Sequence, residues 1–245
     1  MRIAIYGPGR LGGTLAQLLP KAGHEVVIWR RGEAHPQADL RWLTLRDESI
    51  AQVALELPEG SMVLHASGAK DLDVLLPHVE RGSLHPLQSF PGVASAIPRI
   101  QGTPAAIAGT PKALLAARQI AEDLGFSPFV VPGDRRAYHA AAVLAGNFAT
   151  VLLACASEAL AHAGVPAELA PKLLAPLALA SIQQAAQTTP AQALTGPFAR
   201  GDSAVVQSHI EILTESLPHL LPTYKALAEQ AQQLAAKNNF PLDEG

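Results

Sequence analysis

Residues 2–12 have the sequence RIAIYGPGRLG, and this stretch decides the fold. The apolar run 2–6 predicts a buried strand, and the glycines after it form a G-x-G-x-x-G motif, Gly7-Pro8-Gly9-Arg10-Leu11-Gly12. An amphipathic helix pattern follows the motif, and a second strand pattern, EVVIW, begins at residue 25. A glycine loop between a strand and a helix in such a unit is typical of a dinucleotide-binding fold.

Each position of this loop has a physical role in such a fold. Gly7 permits a tight turn, Gly9 lets the backbone approach a pyrophosphate, and Gly12 lets the helix pack closely on the strand. The helix N-terminus, where Arg10 and Leu11 lie, attracts the negative charge of the phosphates. We therefore predict that these five residues bind the cofactor. A glycine turn that binds no ligand is the alternative.

The end of the second strand indicates which dinucleotide binds. NAD sites have an acidic residue there for the ribose hydroxyls. This chain has Arg30 and Arg31 after Trp29, and Glu25 lies at the wrong end of the strand. A guanidinium binds a 2′-phosphate through paired hydrogen bonds, whereas a carboxylate repels it. The sequence therefore favours NADP over NAD, with two solvated turn arginines as the alternative.

Strand and helix patterns alternate from residue 1 to about residue 134. Strands are predicted at 2–6, 25–29, 42–45, 62–66, 82–85, 104–108 and 128–131, and helices at 10–22, 49–57, 70–77 and 111–124. This alternation predicts an α/β Rossmann domain, a doubly wound parallel sheet with helices on both faces. The Pro- and Gly-rich connection 86–103 predicts an irregular loop.

After Pro132-Gly133-Asp134 the strand patterns stop, and alanine-rich helical patterns continue to about residue 236. We therefore divide the chain into a Rossmann NADP-binding domain, 1–134, and an all-α C-terminal domain, 135–245. Helices this apolar indicate faces buried against a second subunit, so we expect a homodimer. The run 140–156 resembles a membrane span in composition, but it is short and alanine-rich. We expect it to be a helix buried on all sides inside the protein, with no membrane as partner.

The carboxyl ends of the fourth and fifth strand patterns carry further candidates. Ligands of open parallel sheets bind beyond this edge. Ser67 and Gly68 follow the fourth strand pattern and are expected close to the cofactor's diphosphate or nicotinamide ribose. His85 leaves the next strand at the same edge. This histidine could position a substrate or the carboxamide, and a role in capping its loop is the alternative.

The few polar residues of the helical domain are also informative. His139 and Asn147 are eight residues apart, which places them on one stripe of a helix. His139 could exchange a proton with a substrate oxygen or nitrogen, because histidine titrates close to neutral pH. Asn147 could hold a carbonyl or hydroxyl group. The alternatives are a solvent-exposed histidine and a buried amide that bonds a neighbouring helix.

A second polar segment covers residues 194–202. Thr195 precedes a Gly-Pro turn, and capping of the following helix fully accounts for Asp202. No other Lys or Arg lies between 190 and 213, so Arg200 is a candidate for binding an anionic substrate group or the cofactor. We predict that Thr195 and Arg200 contact the substrate, with a surface ion pair of Arg200 as the alternative.

Composition argues against several other classes of protein. A net charge of −3 with a pI near 6.3 and an aromatic content of 4% argue against a nucleic-acid partner. The nine histidines show no H-x-H or H-x-x-x-H spacing, so we expect no metal site. Cys155 is the single cysteine, which fits a reducing cytoplasm. The apolar pattern begins within the first three residues, which leaves no room for a signal peptide.

Six segments together resemble a known family. They are IAIYGPGRLGGTLA, VVIWRR, HASGA, GSLHPLQSFP, YHAAAVLAGNFATVLLA and LTGPFARGD, and they cover nearly the whole chain. The chain resembles a bacterial family of Rossmann-like proteins with a helical C-terminal domain of unknown function. That family is similar to β-hydroxyacid dehydrogenases, ketopantoate reductase, pyrroline-5-carboxylate reductase and prephenate dehydrogenase.

The resemblance implies an NADP-binding sheet domain, a helical domain that mediates dimerisation, and a substrate pocket between the two. It further implies hydride transfer to or from a small, anionic keto/hydroxy or imino/amino substrate. His139 stands roughly where ketopantoate reductases and β-hydroxyacid dehydrogenases have a lysine. No lysine occurs from 113 to 171, so a lysine acid/base mechanism is not carried over. A non-catalytic NADP-binding sensor is the alternative function.

Overall fold

The computed structural model describes residues 1–91 and 100–238, and these contain a seven-stranded sheet. Its strands are β1 Arg2–Tyr6, β2 Glu25–Trp29, β3 Leu40–Leu43, β4 Val63–His65, β5 Arg81–Pro86, β6 Pro104–Gly109 and β7 Ser127–Val130. The strand order is β2-β1-β3-β4-β5-β6-β7. Residues 3–6 of the inner strand β1 and all of the inner strand β3 are buried on both faces, as strands covered by helices on either side must be, and Arg41 of β3 is the one charged residue among them. The predicted α/β Rossmann fold is confirmed.

Helices cover the sheet because each has an apolar face directed at the core. They are α1 Arg10–Leu18, α2 Asp47–Glu56 and α3 Pro111–Asp123. Leu15 of α1 and Ile120 of α3 lie in one apolar cluster with β-strand residues, and Ile50 of α2 lies in a second cluster. The chain reverses its strand order between β1 and β3, and such a reversal opens a crevice at the carboxyl ends of the strands.

One pair of strands departs from the predicted parallel sheet. β6 runs antiparallel to β5, with Leu84 opposite Ile107, while the other neighbouring strands are parallel. A parallel pair needs a crossover, usually a helix, and the connection 86–103 has no helical pattern, so a return in the opposite direction is the shorter route. The prediction of an irregular loop falls largely on residues 92–99, outside the described residues. The helix predicted at 70–77 is a short 3₁₀ turn, Leu72–Leu75.

The rest of the described chain is helical. The helices are α4 Arg135–Ala145, α5 Asn147–His162, α6 Ala170–Gln187, α7 Pro190–Ala193, α8 Gly196–Arg200, α9 Ser203–Ser216 and α10 Leu221–Asn238. Asp134 caps α4 by accepting from the Arg136 N–H, and Asp202 caps α9 by accepting from the Val205 N–H, as expected for Asp202. Two compact units result, Met1–Gly146 and Asn147–Gly245.

The division between the compact units lies after Gly146, whereas the sequence places it near residue 134. The difference is helix α4, which is helical in sequence pattern but is attached to the sheet unit. Arg135 donates from its guanidinium to the Ser67 carbonyl at 2.9 Å, and the Tyr138 hydroxyl is hydrogen-bonded to His85 at 2.7 Å. Contacts of this kind depend on tertiary structure, and composition does not reveal them.

The apolar run around α5 is not buried on all sides, so that expectation is wrong for the single chain. Within the helical stretch Arg135–His162, the most apolar window has a mean hydropathy of 1.8, and by length and composition the stretch could cross a membrane, although such a helix is weak evidence of a membrane protein. No part of its most apolar window is buried within the chain. Phe148 and Val151 are about half exposed, at 49% and 51%. The chain therefore leaves an apolar helix surface uncovered.

Candidate cofactor and active site

The glycine loop after β1 is held in a tight turn. Gly7 has a φ of +95°, a backbone conformation that side-chain-bearing residues rarely adopt. Its carbonyl accepts hydrogen bonds from the Gly9 N–H at 2.8 Å and from the Thr44 hydroxyl at 2.7 Å. A Cβ added at Gly12 would lie 2.3 Å from the same carbonyl oxygen, so α1 packs on the loop more closely than any side chain allows.

The start of helix α1 is open to a ligand. Gly9 is its N-cap, and no side chain caps the helix. A Cβ added at Gly9 would meet nothing within 4 Å among the described residues. The first turn contains no acidic residue, and its first residue, Arg10, is exposed. Unneutralised N–H groups at a helix start favour anions, so this end of α1 can hold a phosphate.

Arg30 and Arg31 lie where the sequence places them, at the carboxyl end of β2. The register pairs Tyr6 with Trp29, so the residues after these two strands, Gly7 and Arg30, are neighbours at the sheet edge. Both arginines are exposed. Their guanidinium groups are therefore free to reach a ligand that lies against the glycine loop.

An aromatic stack and a carboxylate fix the turn after β2, and the sequence analysis missed both. The rings of Trp29, Tyr6 and His35 pack against one another, with the Trp29 ring centroid 4.8 Å from that of Tyr6 and 5.4 Å from that of His35. The Trp29 indole N–H donates to the Glu33 carbonyl at 3.0 Å, and the Arg30 N–H donates to the Glu33 carboxylate at 3.1 Å. Glu33 thus places a negative charge at the strand end that distinguishes NAD from NADP. Its position three residues past Arg30 in a turn is the signal that could have revealed it.

Ser67 and Gly68 lie in the loop after β4, but they have different roles there. The Ser67 hydroxyl donates to Asp47 of α2 at 2.9 Å and accepts from the N–H groups of Ala69 and Lys70, so it is occupied by α2 and by its own loop. Gly68 faces two of the predicted catalytic residues. A Cβ added there would lie 2.6 Å from the His139 ring and 3.0 Å from Nε2 of His85.

The sheet unit brings His85 and His139 together. His85 is near the end of β5 and His139 is in α4, and their ring centroids are 6.2 Å apart. Nδ1 of His85 is hydrogen-bonded to the Tyr138 hydroxyl at 2.7 Å. Burial, followed by the charges of His139 and Arg135, lowers the pKa of His85 to about 4, although Asp47 opposes the shift. His85 is therefore neutral at physiological pH.

Arg135 is a buried cation beside these histidines, and the sequence analysis did not select it. It is 7% exposed, it donates to the Ser67 carbonyl at 2.9 Å, and its buried Nε has no partner among the described residues. Burial and then the charge of Arg135 lower the pKa of His65 to about 3. Burial raises the pKa of Tyr138 to about 12, and Arg135 opposes the shift. Arg135 and Tyr138 are three residues apart on the first turns of α4, a spacing that places them on one helix face.

The second unit contains the other predicted site residues. Asn147 is the first residue of α5, Thr195 is the N-cap of α8, and Arg200 is the last residue of α8, and all three are exposed. Their assignment to the site stays a prediction. Among the described residues, no group of three or more His, Cys, Asp or Glu is placed to hold a metal ion.

An apolar cavity of about 330 Å³ lies within the second unit. Its lining comes from α5, α9, the segment after α9 and α10, and includes Cys155, His209 and Tyr224. None of the predicted substrate residues lines it. This cavity is therefore separate from the residues that the sequence assigns to the substrate.

A family model for a domain of unknown function, DUF2520, matches residues 103–231, just over half of the chain. The chain belongs to the DUF2520 family. The family's matched region runs from β6 through most of α10, which agrees with the resemblance of the helical half to a domain of unknown function.

Solved structures share the fold of this DUF2520 protein over nearly its whole length. A candidate NADP oxidoreductase from Bacteroides fragilis is 24% identical, with a TM-score of 0.79, covering 95% of this chain and 98% of that one. A protein from Thermotoga maritima is 22% identical, with a TM-score of 0.75, covering 97% and 100%. A reductive aminase from Aspergillus terreus in complex with NADPH is 18% identical, with a TM-score of 0.61, covering 98% and 99%. The DUF2520 protein has the fold of NADP-dependent oxidoreductases.

A curated relative matches part of the chain. It is a glycerol-3-phosphate dehydrogenase [NAD(P)+] from Gloeobacter violaceus, 34% identical over 121 residues. The match covers 43% of this chain and 40% of the relative, so the chain spans well under half of that protein.

Proposed function

We propose that this DUF2520 protein is an NADP(H)-dependent oxidoreductase that acts on a small, anionic keto/hydroxy or imino/amino compound. The geometry of the glycine loop carries this proposal. Gly9 presents open space in front of an uncapped helix start, and Gly7 and Gly12 have the turn and the close packing that a dinucleotide-binding loop requires. The fold shared with NADP oxidoreductases supports it.

The residues of the sheet unit fit the dinucleotide. The backbone of the glycine loop and the start of α1 would hold the pyrophosphate, and Arg30 and Arg31 would bind the 2′-phosphate. The Glu33 carboxylate repels the 2′-phosphate and so opposes its binding by Arg30 and Arg31. The affinity for NADPH therefore exceeds that for NADH only modestly. When bound, the nicotinamide supplies or accepts the hydride.

His85 and His139 are assigned interactions with the substrate. His139 is assigned the exchange of a proton with the substrate oxygen or nitrogen, because it lies beside His85 and Gly68 at the carboxyl edge of the sheet. His85 is neutral and is assigned a hydrogen bond to a polar group of the ligand. Asn147 and Thr195 are proposed to orient the substrate, and Arg200 to bind its negative charge.

Replacement of Gly9 by Ala tests cofactor binding directly. The added methyl group meets no protein atom within 4 Å, so the variant keeps its stability, but the group fills the space needed by a phosphate. We expect calorimetry to show NADPH binding by the wild type and at least a tenfold loss in Gly9→Ala. Gly133→Ala is the matched control, since its methyl group also meets nothing within 4 Å. Unchanged NADPH affinity in Gly9→Ala would contradict the proposal.

Turnover separates an enzyme from a sensor. NADPH absorbance is followed while small keto acids and imino acids are added, each with the wild type, His139→Gln and Asn147→Ala. We expect NADPH oxidation with at least one compound and a large loss of kcat in His139→Gln. Tight NADPH binding without oxidation in any mixture would favour the non-catalytic sensor.

We further propose that the protein is a cytoplasmic homodimer, in which the second copy covers the apolar surface of α5. The exposed side chains Phe148 and Val151 lie three residues apart on one helix face, and exposed leucines on α6, such as Leu173 and Leu177, have similar spacing. Contiguous apolar surface of this kind marks an interaction site. Alanine-rich helices allow close approach of a partner helix.

A further inference from the structure

The two ring nitrogens of His85 have different surroundings. Nδ1 is 2.7 Å from the Tyr138 hydroxyl. Nε2 faces Gly68, where an added Cβ would lie 3.0 Å from it. Within residues 1–91 and 100–238, no protein group is hydrogen-bonded to Nε2. The ring is thus held at one nitrogen and open at the other.

The hydrogen bond to Tyr138 fixes the proton on the ring. Tyr138 keeps its hydroxyl proton at physiological pH, because burial raises its pKa to about 12. Among the described residues, the acceptor for that proton is Nδ1 of His85, so the hydroxyl donates and Nδ1 accepts. A neutral imidazole that accepts at one nitrogen carries its proton on the other. In that arrangement the proton of His85 lies on Nε2.

Burial, and after it the charges around His85, keeps the ring neutral by lowering its pKa. The positive charges of His139 and Arg135 on α4 disfavour a positive charge on His85. His65 on the adjacent strand is itself neutral. Asp47 at the start of α2 favours the charged form but does not outweigh burial. The pKa of about 4 that results leaves His85 unable to act as a cationic acid at neutral pH.

We propose that Tyr138 holds His85 in its neutral Nε2–H tautomer, and that Nε2–H donates a hydrogen bond to a carbonyl oxygen of the bound ligand. The inference rests on the proposed function for the identity of that ligand. Two groups have a carbonyl oxygen that fits this role, the carboxamide of the nicotinamide and the keto group of a keto-acid substrate. His85 keeps its proton throughout, and Tyr138 is a positioning residue that acts through His85.

Histidine ¹⁵N spectra of the full-length protein without ligand test the tautomer. The signals of His85 are assigned by comparison with His85→Gln. We expect an unprotonated Nδ1 and a protonated Nε2, with no titration until the pH falls well below the ordinary histidine range. In Tyr138→Phe we expect a mixture of the two tautomers, because the hydroxyl donor is removed. A proton on Nδ1 in the wild type would overturn the inference.

The chain offers a matched control in its second unit. Nδ1 of His209 is 2.8 Å from the Tyr224 hydroxyl, so Tyr224→Phe breaks an equivalent histidine–tyrosine pair. We expect this change to leave the His85 signals as they are in the wild type. A tautomer change at His85 in Tyr224→Phe would mean that the spectra report a general disturbance, and this would overturn the role of Tyr138.

Two ligand additions identify the acceptor. A shift of the Nε2–H signal on addition of NADPH alone assigns the carboxamide, and a shift that appears only when oxidised cofactor and a keto acid are both present assigns the substrate carbonyl. No shift in either mixture, in a protein that binds NADPH, overturns the donor role. Absence of NADPH binding would overturn the proposed function and the donor role, while the tautomer is judged by the ligand-free spectra.

Discussion

Replacement of Gly12 by Ala tests the close packing of α1 on the glycine loop. The added Cβ would lie 2.3 Å from the Gly7 carbonyl oxygen and 2.3 Å from the Thr44 hydroxyl oxygen. Relief of these overlaps requires the loop backbone to shift and the Thr44 hydroxyl to turn away from the Tyr6 and Gly7 carbonyls that it bonds at 3.1 and 2.7 Å. The change is therefore destabilising, in contrast to Gly9→Ala.

The size of the effect follows from three contributions. Overpacking costs about 1–3 kcal/mol, and disturbance of the threonine hydrogen bonds costs about 1 kcal/mol. Alanine in place of glycine in a helix returns about 1 kcal/mol. We expect Gly12→Ala to lower the free energy of unfolding by about 2 kcal/mol, which corresponds to about 4–8 °C in Tm for a protein of this size.

Tryptophan fluorescence during denaturation is the assay, because both tryptophans, Trp29 and Trp42, belong to the sheet unit. Thr44→Ala removes one of the two oxygens, so we expect Gly12→Ala to cost about 1 kcal/mol less in that background. Gly133→Ala is the control and should unfold like the wild type, since its methyl group meets no neighbour. Wild-type stability of Gly12→Ala would refute the reasoning.

Three further predictions concern cofactor, pH and assembly. Arg30→Ala should weaken NADPH binding by about 1–3 kcal/mol and leave NADH binding unchanged. In the same calorimetric titrations, Glu33→Gln should strengthen NADPH binding relative to NADH binding. Changes in the opposite directions would contradict the roles assigned to these two charges. Unfolded histidine takes up a proton near pH 6.5 but folded His85 only near 4, so stability should be complete above this window and fall by up to about 3 kcal/mol as pH drops through it. His65, whose folded pKa is about 3, adds to the same fall, so His85→Gln should reduce that slope in denaturant titrations without removing it. Sedimentation should give a dimer for the wild type and a monomer for Val151→Lys. The control Leu55→Lys, at an exposed position of α2, should stay dimeric. A monomeric wild type would refute the dimer.

Local patterns were sufficient to predict the first strand–helix–strand unit of the sheet. The apolar runs and the glycine motif identify β1, α1 and β2 because buried parallel strands and a phosphate-binding turn each have a distinctive local sequence. The direction of β6 was not predictable in this way. It depends on the route of the connection after β5, and no local pattern in residues 86–103 specifies that route.

The histidine cluster was predicted only in part. His85 and His139 stand out as isolated polar residues, but their partners Arg135 and Tyr138 resemble ordinary residues at a helix start. Their burial and hydrogen bonds arise when α4 packs on the sheet, an event that no spacing rule describes. Glu33 was overlooked for a related reason, since a carboxylate in a turn is usually solvated and here it returns to bond the chain that precedes it.

The reversal of the chain at β6 has a consequence for the order in which the site is completed. Because β6 and β7 run antiparallel to β5, neither of them ends at the edge where His85 lies. The remaining side chains of the histidine cluster come from α4, so His139 lies beside Gly68 although about seventy residues separate the two in the sequence. During synthesis at the ribosome, the glycine loop and the twin arginines emerge long before the segment that supplies His139. A nascent chain can therefore contain the proposed nucleotide-binding loop before the segment with the proposed proton-exchanging histidine has been synthesised.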